Sequence, residues 1–283
     1  MLHLLSRFRR PAETKASRAG AAVALYVAGR PVWTPRDYAA LAREGFQRNP
    51  VVHRSVRLIA EAAAALPLSL IEGGRIVDAH PLVALMRRPN PREGGARFLE
   101  SVYGHLLVSG NAYLEAVAVD GAPRELYALR PDRMLQGAMN AGRPLLLEGG
   151  LDWKPLSLTP AELDFVAAKG AAAREIALAF GVPPLLLGLP GDNTHANFAE
   201  ANRALWRQTV LPLVKRTAQS LAQWLGPAFG DELALDPDLD AVEALADERE
   251  SLWRRVGAAA FLTDDEKREA VGYGRHSARE ASS

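Results

Sequence analysis

Asn49-Pro50-Val51-Val52-His53-Arg54-Ser55-Val56-Arg57-Leu58-Ile59-Ala60 begins a segment that runs on to Ala65-Leu66-Pro67-Leu68. Asn49 is a helix-capping side chain, and Pro50 falls at the first helical position, where its missing N–H would be unpaired anyway. Val52, Val56, Ile59, Ala60, Ala63 and Leu66 recur at helical spacing, and Pro67 stops the run. Directly afterwards Leu68-Ser69-Leu70-Ile71-Glu72 reads as a strand, Gly73-Gly74 as a turn and Arg75-Ile76-Val77 as its return. A capped amphipathic helix feeding a tight hairpin sets the class as α+β.

Working outward, the same grammar repeats. Thr34-Pro35-Arg36-Asp37 and Asn90-Pro91-Arg92-Glu93 read as further helix starts. The second of these helices carries Phe98, Leu99, Val102 and Leu106 and ends near Gly110. A hairpin follows, from Asn111 to Val119, through Asp120-Gly121, and back along Leu126 to Leu129. Residues 144–147 and 153–158 form a third strand pair around Gly149-Gly150, and must pair with each other or leave open edges. Thr159-Pro160-Ala161-Glu162 starts a helix to Phe180, closed by Gly181 and Pro183-Pro184. Leu185 to Asn193 reads as a loop. A helix from His195 to Leu225 would be about 45 Å long. Phe198 starts its packed face, and Pro212 should kink or split it. Thr263-Asp264-Asp265-Glu266 is one more start, and Gly272-Tyr273-Gly274 a C-terminal cap.

The 283 residues are 48% apolar and 24% charged, which suits a globular chain with a proper core. The absence of cysteine excludes a disulfide framework, a thiolate zinc site and a cysteine nucleophile together. A net charge of +1 does not announce a nucleic-acid or membrane partner. No run approaches the ~20 apolar residues of a membrane helix. Arg7, Arg9, Arg10, Lys15 and Arg18 mark a basic N-terminal arm, and the acidic run from Asp231 to Glu250 reads as a solvated face. The six histidines are isolated, with none at metal-ligand spacing, and hydrolase, zincin and phosphate-loop signatures are missing. The reading is therefore no enzyme, no cofactor and no metal site.

Five stretches carry a family resemblance. The helix from Asn49 with Ala65-Leu66-Pro67-Leu68 resembles the opening helix of tailed-phage portal proteins of the HK97 type. So do His80-Pro81-Leu82 with Pro89-Asn90-Pro91, and then Gly110-Asn111-Ala112-Tyr113. Arg174-Glu175-Ile176-Ala177 with Phe180-Gly181-Val182-Pro183-Pro184 and Leu187-Gly188 resembles the stem helix and its exit. Asn202 to Leu213, with Trp206, resembles the helix after the tunnel loop. Gly191-Asp192-Asn193-Thr194 and Phe261-Leu262-Thr263-Asp264-Asp265-Glu266-Lys267 are similar to the portals of alphaproteobacterial gene transfer agents and related prophages.

The resemblance implies a mainly helical wing and stem with small β-hairpin sheets. It divides the chain into a basic arm (1–33), a wing-like region (34–134), a residual clip-like β region (135–158), a stem-like helix with tunnel-like loop and long helix (159–230), and an acidic, helical wing or crown-like region (231–283). Portal proteins form a homo-oligomeric ring, usually a dodecamer, at a capsid vertex. Their partners are the terminase, capsid and head-tail connector proteins, and double-stranded DNA passing non-specifically, with no membrane. The location implied is the virion or gene-transfer-agent particle, with assembly in the bacterial cytoplasm. Gly188, Gly191, Asp192, Asn193, Thr194 and His195 fall on the DNA-facing loop, and Leu163, Val166, Lys169, Arg174 and Ile176 on the subunit-contacting stem helix. One departure stands out. Met134 is followed at once by Leu135-Gln136-Gly137-Ala138-Met139-Asn140, which resembles a point well into the clip. One stem helix and much of the clip are thereby missing. The alternative is an internally deleted remnant that acts as a monomeric or partner-binding helical protein.

Overall fold

This computed structural model describes residues 24–27, 30–33, 38–131, 145–148, 165–189, 195–230 and 233–274. A β1–β2 hairpin (Ala24–Val27, Arg30–Trp33) precedes a short α1 (Tyr38–Ala40) that widens into a π-helical stretch, Leu41–Gln47. Helix α2 is Pro50–Ala65, and the Asn49 side chain accepts from the amides of Val51 and Val52, as its sequence requires. Its apolar stripe of Val56, Ile59, Ala60 and Ala63 is buried.

Strand β3 (Leu68–Glu72) turns at Gly73 and Gly74, both at positive φ, into β4 (Arg75–Ile76). Positive φ at both turn positions matches the twist of a two-residue hairpin. Strand β5 (Asn111–Val119) pairs with β6 (Ala122–Leu129) around Asp120 and Gly121 in the same manner. The fold class is thus α+β, with small antiparallel sheets on a helical body.

Two sheets are completed by distant segments. Strand β8 (Leu233–Pro237) lies antiparallel beside β3, with Leu70 opposite Leu235, giving the order β4-β3-β8. Strand β7 (Leu145–Glu148) pairs with β5, giving β6-β5-β7. The sequence did not show β5 as the partner of β7, and the expected pairing of 144–147 with 153–158 falls in part on residues outside those described. Strand β7 takes the edge of β5 away from β6, beside a strand whose register the β5–β6 hairpin already holds. Residues 153–158 and the helix start at Thr159 lie outside the described residues.

Helix α3 (Pro81–Arg87) is capped by His80, whose Nδ1 accepts from the Leu82 amide. Helix α4 is Gly95–Ser109, not a helix from Asn90. Asn90 is buried and holds a turn instead. Its Oδ1 accepts from the amides of Arg92 and Glu93, and its Nδ2 donates to the Leu126 carbonyl of β6. The helix then begins where backbone must pass backbone, since a Cβ on Gly95 would lie 2.1 Å from the Met86 carbonyl oxygen. Helix α4 ends at Gly110, in the left-handed conformation.

Helix α5 (Phe165–Ala179) ends at Gly181, and a 3-10 turn, Pro184–Leu187, follows. Helix α6 (His195–Leu205) continues through a π-helical turn, Trp206–Val210, into α7 (Leu211–Leu225). Pro212 therefore neither splits nor breaks the run. The wider turn just before it accommodates the ring and the missing N–H. Phe198 is 52% exposed, so the packed face begins at Leu205 rather than at Phe198. Two more helices, α8 (Ala246–Gly257) and α9 (Asp264–Val271), close the described chain. The core joins Ile59 of α2, Phe98, Val102 and Tyr103 of α4, Val214 and Leu221 of α7, and Leu70, Leu114, Leu126 and Leu235 of the sheets. Burial raises the Tyr103 phenol well above its ordinary pKa. Its hydroxyl lies beside that of Thr217 without hydrogen-bond geometry, and Thr217 donates to the Leu213 carbonyl instead, at 3.0 Å.

Candidate functional site

The segment with functional interest is α5, its exit, and the entry to α6. Helix α5 leans on α2 and buries Ala173 and Ala177, one helical turn apart. Small side chains let the two helices approach closely. Gly181 stops the helix at φ +66°, and Thr209 Oγ1 donates to its carbonyl at 2.7 Å. A Cβ there would stand 2.6 Å from that same Oγ1, so α5 is riveted to the π-helical turn at a position that only glycine fits. Val182 is buried behind it, and Phe180, Leu186 and Leu187 pack against the core. The exit from α5 is therefore a rigid corner.

The outer side of α5 is different. Ala171, Arg174, Glu175 and Leu178 recur at three and four residues and are all exposed, Leu178 at 79%. Lys169 is exposed as well, and Ile176 is half-buried. Of the other stem residues read from the sequence, Leu163 lies outside the described residues, and of Val166 only the backbone is described, within α5. Gly188 caps the 3-10 turn at φ +72°, donating its amide to the Leu185 carbonyl at 3.1 Å, and is exposed. Gly191, Asp192, Asn193 and Thr194 lie outside the described residues, and His195 is the first residue of α6. Gly188 and His195 thus mark the two shoulders of the loop.

Sequence reading missed the outer apolar residues. Leu178 lies off the stripe that holds Ile176 and Phe180. Its signal was its position four residues after Arg174, on the polar side of the wheel. With Phe198 at the start of α6, it gives two large exposed apolar side chains on the two helices that flank the loop. Among the described residues no group of acidic or histidine side chains is arranged to hold a metal ion. No described helix is long and apolar enough to cross a membrane.

Among the described residues, then, a helical body carries three small antiparallel sheets and a cornered helix with a bare outer face. The family described as phage portal protein matches residues 50–136 and 133–272, and the chain belongs to that family. An uncharacterized protein of Rickettsia bellii (strain RML369-C) is 30% identical over 338 aligned positions, spanning 81% of this chain and 88% of the relative. The portal protein of Enterobacteria phage HK97 is 28% identical over 85 residues, 29% of this chain and 20% of that one. Two solved structures share 39% identity over 88% of this chain and 96% of theirs. They are the neck of an empty gene transfer agent particle computed with C6 symmetry, with a TM-score of 0.68, and the neck of the native particle computed with C12 symmetry, at 0.63. An alignment of 338 positions to a chain of 283 residues requires gaps in this chain, and the two family matches meet at 133–136.

Proposed function

We propose that this chain is the portal subunit of a phage-derived particle of the gene-transfer-agent kind. Copies of it close a ring at one vertex of the capsid, DNA passes through the ring on packaging and ejection, and terminase and head-tail connector proteins dock on it. It does no covalent chemistry of its own. The subunit is assembled in the bacterial cytoplasm and ends in the particle. The observation that carries the reading is the 39% identity across nearly the whole fold to a chain of particle necks computed with C6 and C12 symmetry. The exposed face of α5 supports it, because Leu178, Lys169 and Arg174 are exposed in the single chain, and in a ring a neighbouring copy would cover them. Leu163, Val166 and Ile176 belong to the same stem-like helix in this reading. The loop with Gly188, Gly191, Asp192, Asn193, Thr194 and His195 is then the part that faces DNA. A net charge of +1 agrees with a tunnel that lets a polyanion slide rather than holding it by counterion release.

A second reading has one observation in its favour. The family matches meet at 133–136, and the aligned relative is longer than this chain; in this reading the segment lacking between the two matches is part of the stem and clip. In that reading the chain is a non-assembling remnant that acts as a monomer or binds a partner through its helices. Mass measurement of the purified protein in solution separates the two. A closed ring of many copies supports the portal, and a monomer at every concentration supports the remnant. If the ring forms, Leu178→Glu should abolish it while leaving the monomer's melting curve unchanged. Crosslinks from Asn193 or His195 to DNA in filled particles test the loop.

A further inference from the structure

The hairpin of α8 and α9 is attached to the body differently from α2, α4 and α7, each of which buries an apolar stripe. Just before it, Val242 and Leu245 are buried. From Ala246 to Gly274, no residue is buried. Trp253, Phe261 and Tyr273 are among the large exposed apolar side chains, Phe261 at 86%.

What ties the hairpin down is charge. At one end Arg203 of α6 lies 3.4 Å from Glu248 and 3.6 Å from Asp247, and Arg207 lies 3.4 Å from Glu248. At the other, Asp240 of the preceding turn takes both halves of the hairpin at once. Its Oδ1 accepts from Arg249 Nε of α8 at 2.5 Å, and its Oδ2 accepts from the Tyr273 hydroxyl beyond α9 at 2.7 Å. Inside the hairpin, Arg249 Nη2 donates to the Val271 carbonyl at 2.6 Å, and the Trp253 and Tyr273 rings are 5.9 Å apart. Gly274 also approaches Gly74 and Arg75 of the β3–β4 turn, backbone against backbone. The hairpin is thus cross-linked within itself and held to the body by carboxylate–guanidinium pairs.

We propose that α8–α9 is a salt-latched arm. When its ionic ties are screened it leaves the body as a unit, pivoting after Leu245, and carries Phe261 and Trp253 with it, while the body stays folded. The physical basis is that ion pairs open to solvent, as those of Arg203 with Asp247 and of Arg207 with Glu248 are, weaken as the Debye length shrinks, the partly buried Asp240–Arg249 pair less steeply, whereas apolar burial does not weaken. The inference concerns the single chain and does not depend on ring formation.

Hydrogen exchange of the full chain, compared between low and molar sodium chloride, tests it. Amides of α8 and α9 should exchange about tenfold faster in high salt, and those of α4 less than about twofold faster. Asp240→Asn in low salt should reproduce the high-salt pattern. Arg254→Gln should not, because its partner Glu250 lies within α8. Unchanged hairpin protection in molar salt would overturn the proposal, as would acceleration of body and hairpin together. If Asp240→Asn fails to fold, the salt comparison on the parent chain decides alone.

Discussion

The body around α4 and the hairpin of α8–α9 are both helical and are held in place by opposite means. Helix α4 buries Phe98, Leu99, Val102, Tyr103 and Leu106 against α2 and the sheets. Helices α8 and α9 hold no fully buried residue, and depend on pairs such as Asp240–Arg249 and Arg203–Glu248. Burial of apolar area is non-directional and additive, so the body should melt as one cooperative unit. Exposed ion pairs contribute little each and respond to salt and pH. The same secondary structure therefore carries two kinds of stability, and mutations should report which kind they touch.

The largest effect should come from Phe98→Ala. Phe98 is completely buried, and its loss should cost about 3–5 kcal/mol by the transfer and cavity terms together. Calorimetry should show the whole body melting earlier in a single transition. A change confined to the hairpin would break the comparison.

Gly95→Ala comes next. The added methyl would meet the Met86 carbonyl oxygen at 2.1 Å, backbone against backbone, so α3 and α4 must separate. Overpacking of this kind costs about 1–3 kcal/mol. Denaturant unfolding should show a lower midpoint with an unchanged slope.

Thr263→Ala sharpens the comparison from the other side. Thr263 and Glu266 form a reciprocal capping box at the start of α9, and loss of such a cap costs about 1 kcal/mol. Hydrogen exchange should rise in α9 and leave α4 untouched.

The smallest effect is the pH response of the Asp240 tie. The Arg249 guanidinium holds the Asp240 carboxyl below the ordinary carboxylate value against the opposing pull of partial burial, and the Tyr273 hydroxyl helps. The bond to Asp240 in turn holds the Tyr273 phenol above its ordinary value. A depressed carboxylate contributes stability above its unfolded pKa and loses it as pH falls through the folded one. A raised phenol contributes below its unfolded pKa and loses it as pH rises through the folded one. Hairpin protection, corrected for intrinsic exchange, should therefore be flat between about pH 4 and about pH 10 and fall outside that window. A loss near neutrality would point to a different tie.

Local punctuation was legible wherever one or two residues decide a conformation. Asn49-Pro50 starts α2, Gly110 and Gly272 end α4 and α9, and Thr263 with Glu266 caps α9, each by a bond or a φ value that the residue type favours. Asn90 shows the limit of that logic. It has the side chain of a helix cap and spends it on a turn, because the Leu126 carbonyl of β6, thirty-six residues on, takes its Nδ2. Of the candidate site, sequence reading located a helix where α5 stands and its end at Gly181. It did not see that Phe198 is half bare, nor that Leu178 and not the Ile176 stripe is the most exposed apolar group on α5. Helical spacing tells which residues share a face, and only the neighbours tell which face is covered.

By itself, then, the sequence determined the α+β class, the main helices and two of the hairpins, and, through motifs in order, the portal family. These follow from short-range rules of capping, turn geometry and periodicity. Tertiary structure decided that β8 returns to pair with β3 and that β7 completes the sheet of β5. It also decided that alanines pack α5 while its outer face stays open, and that the last hairpin hangs on charge. Each depends on which distant segment arrives to cover an edge or a face, and no local pattern records that arrival.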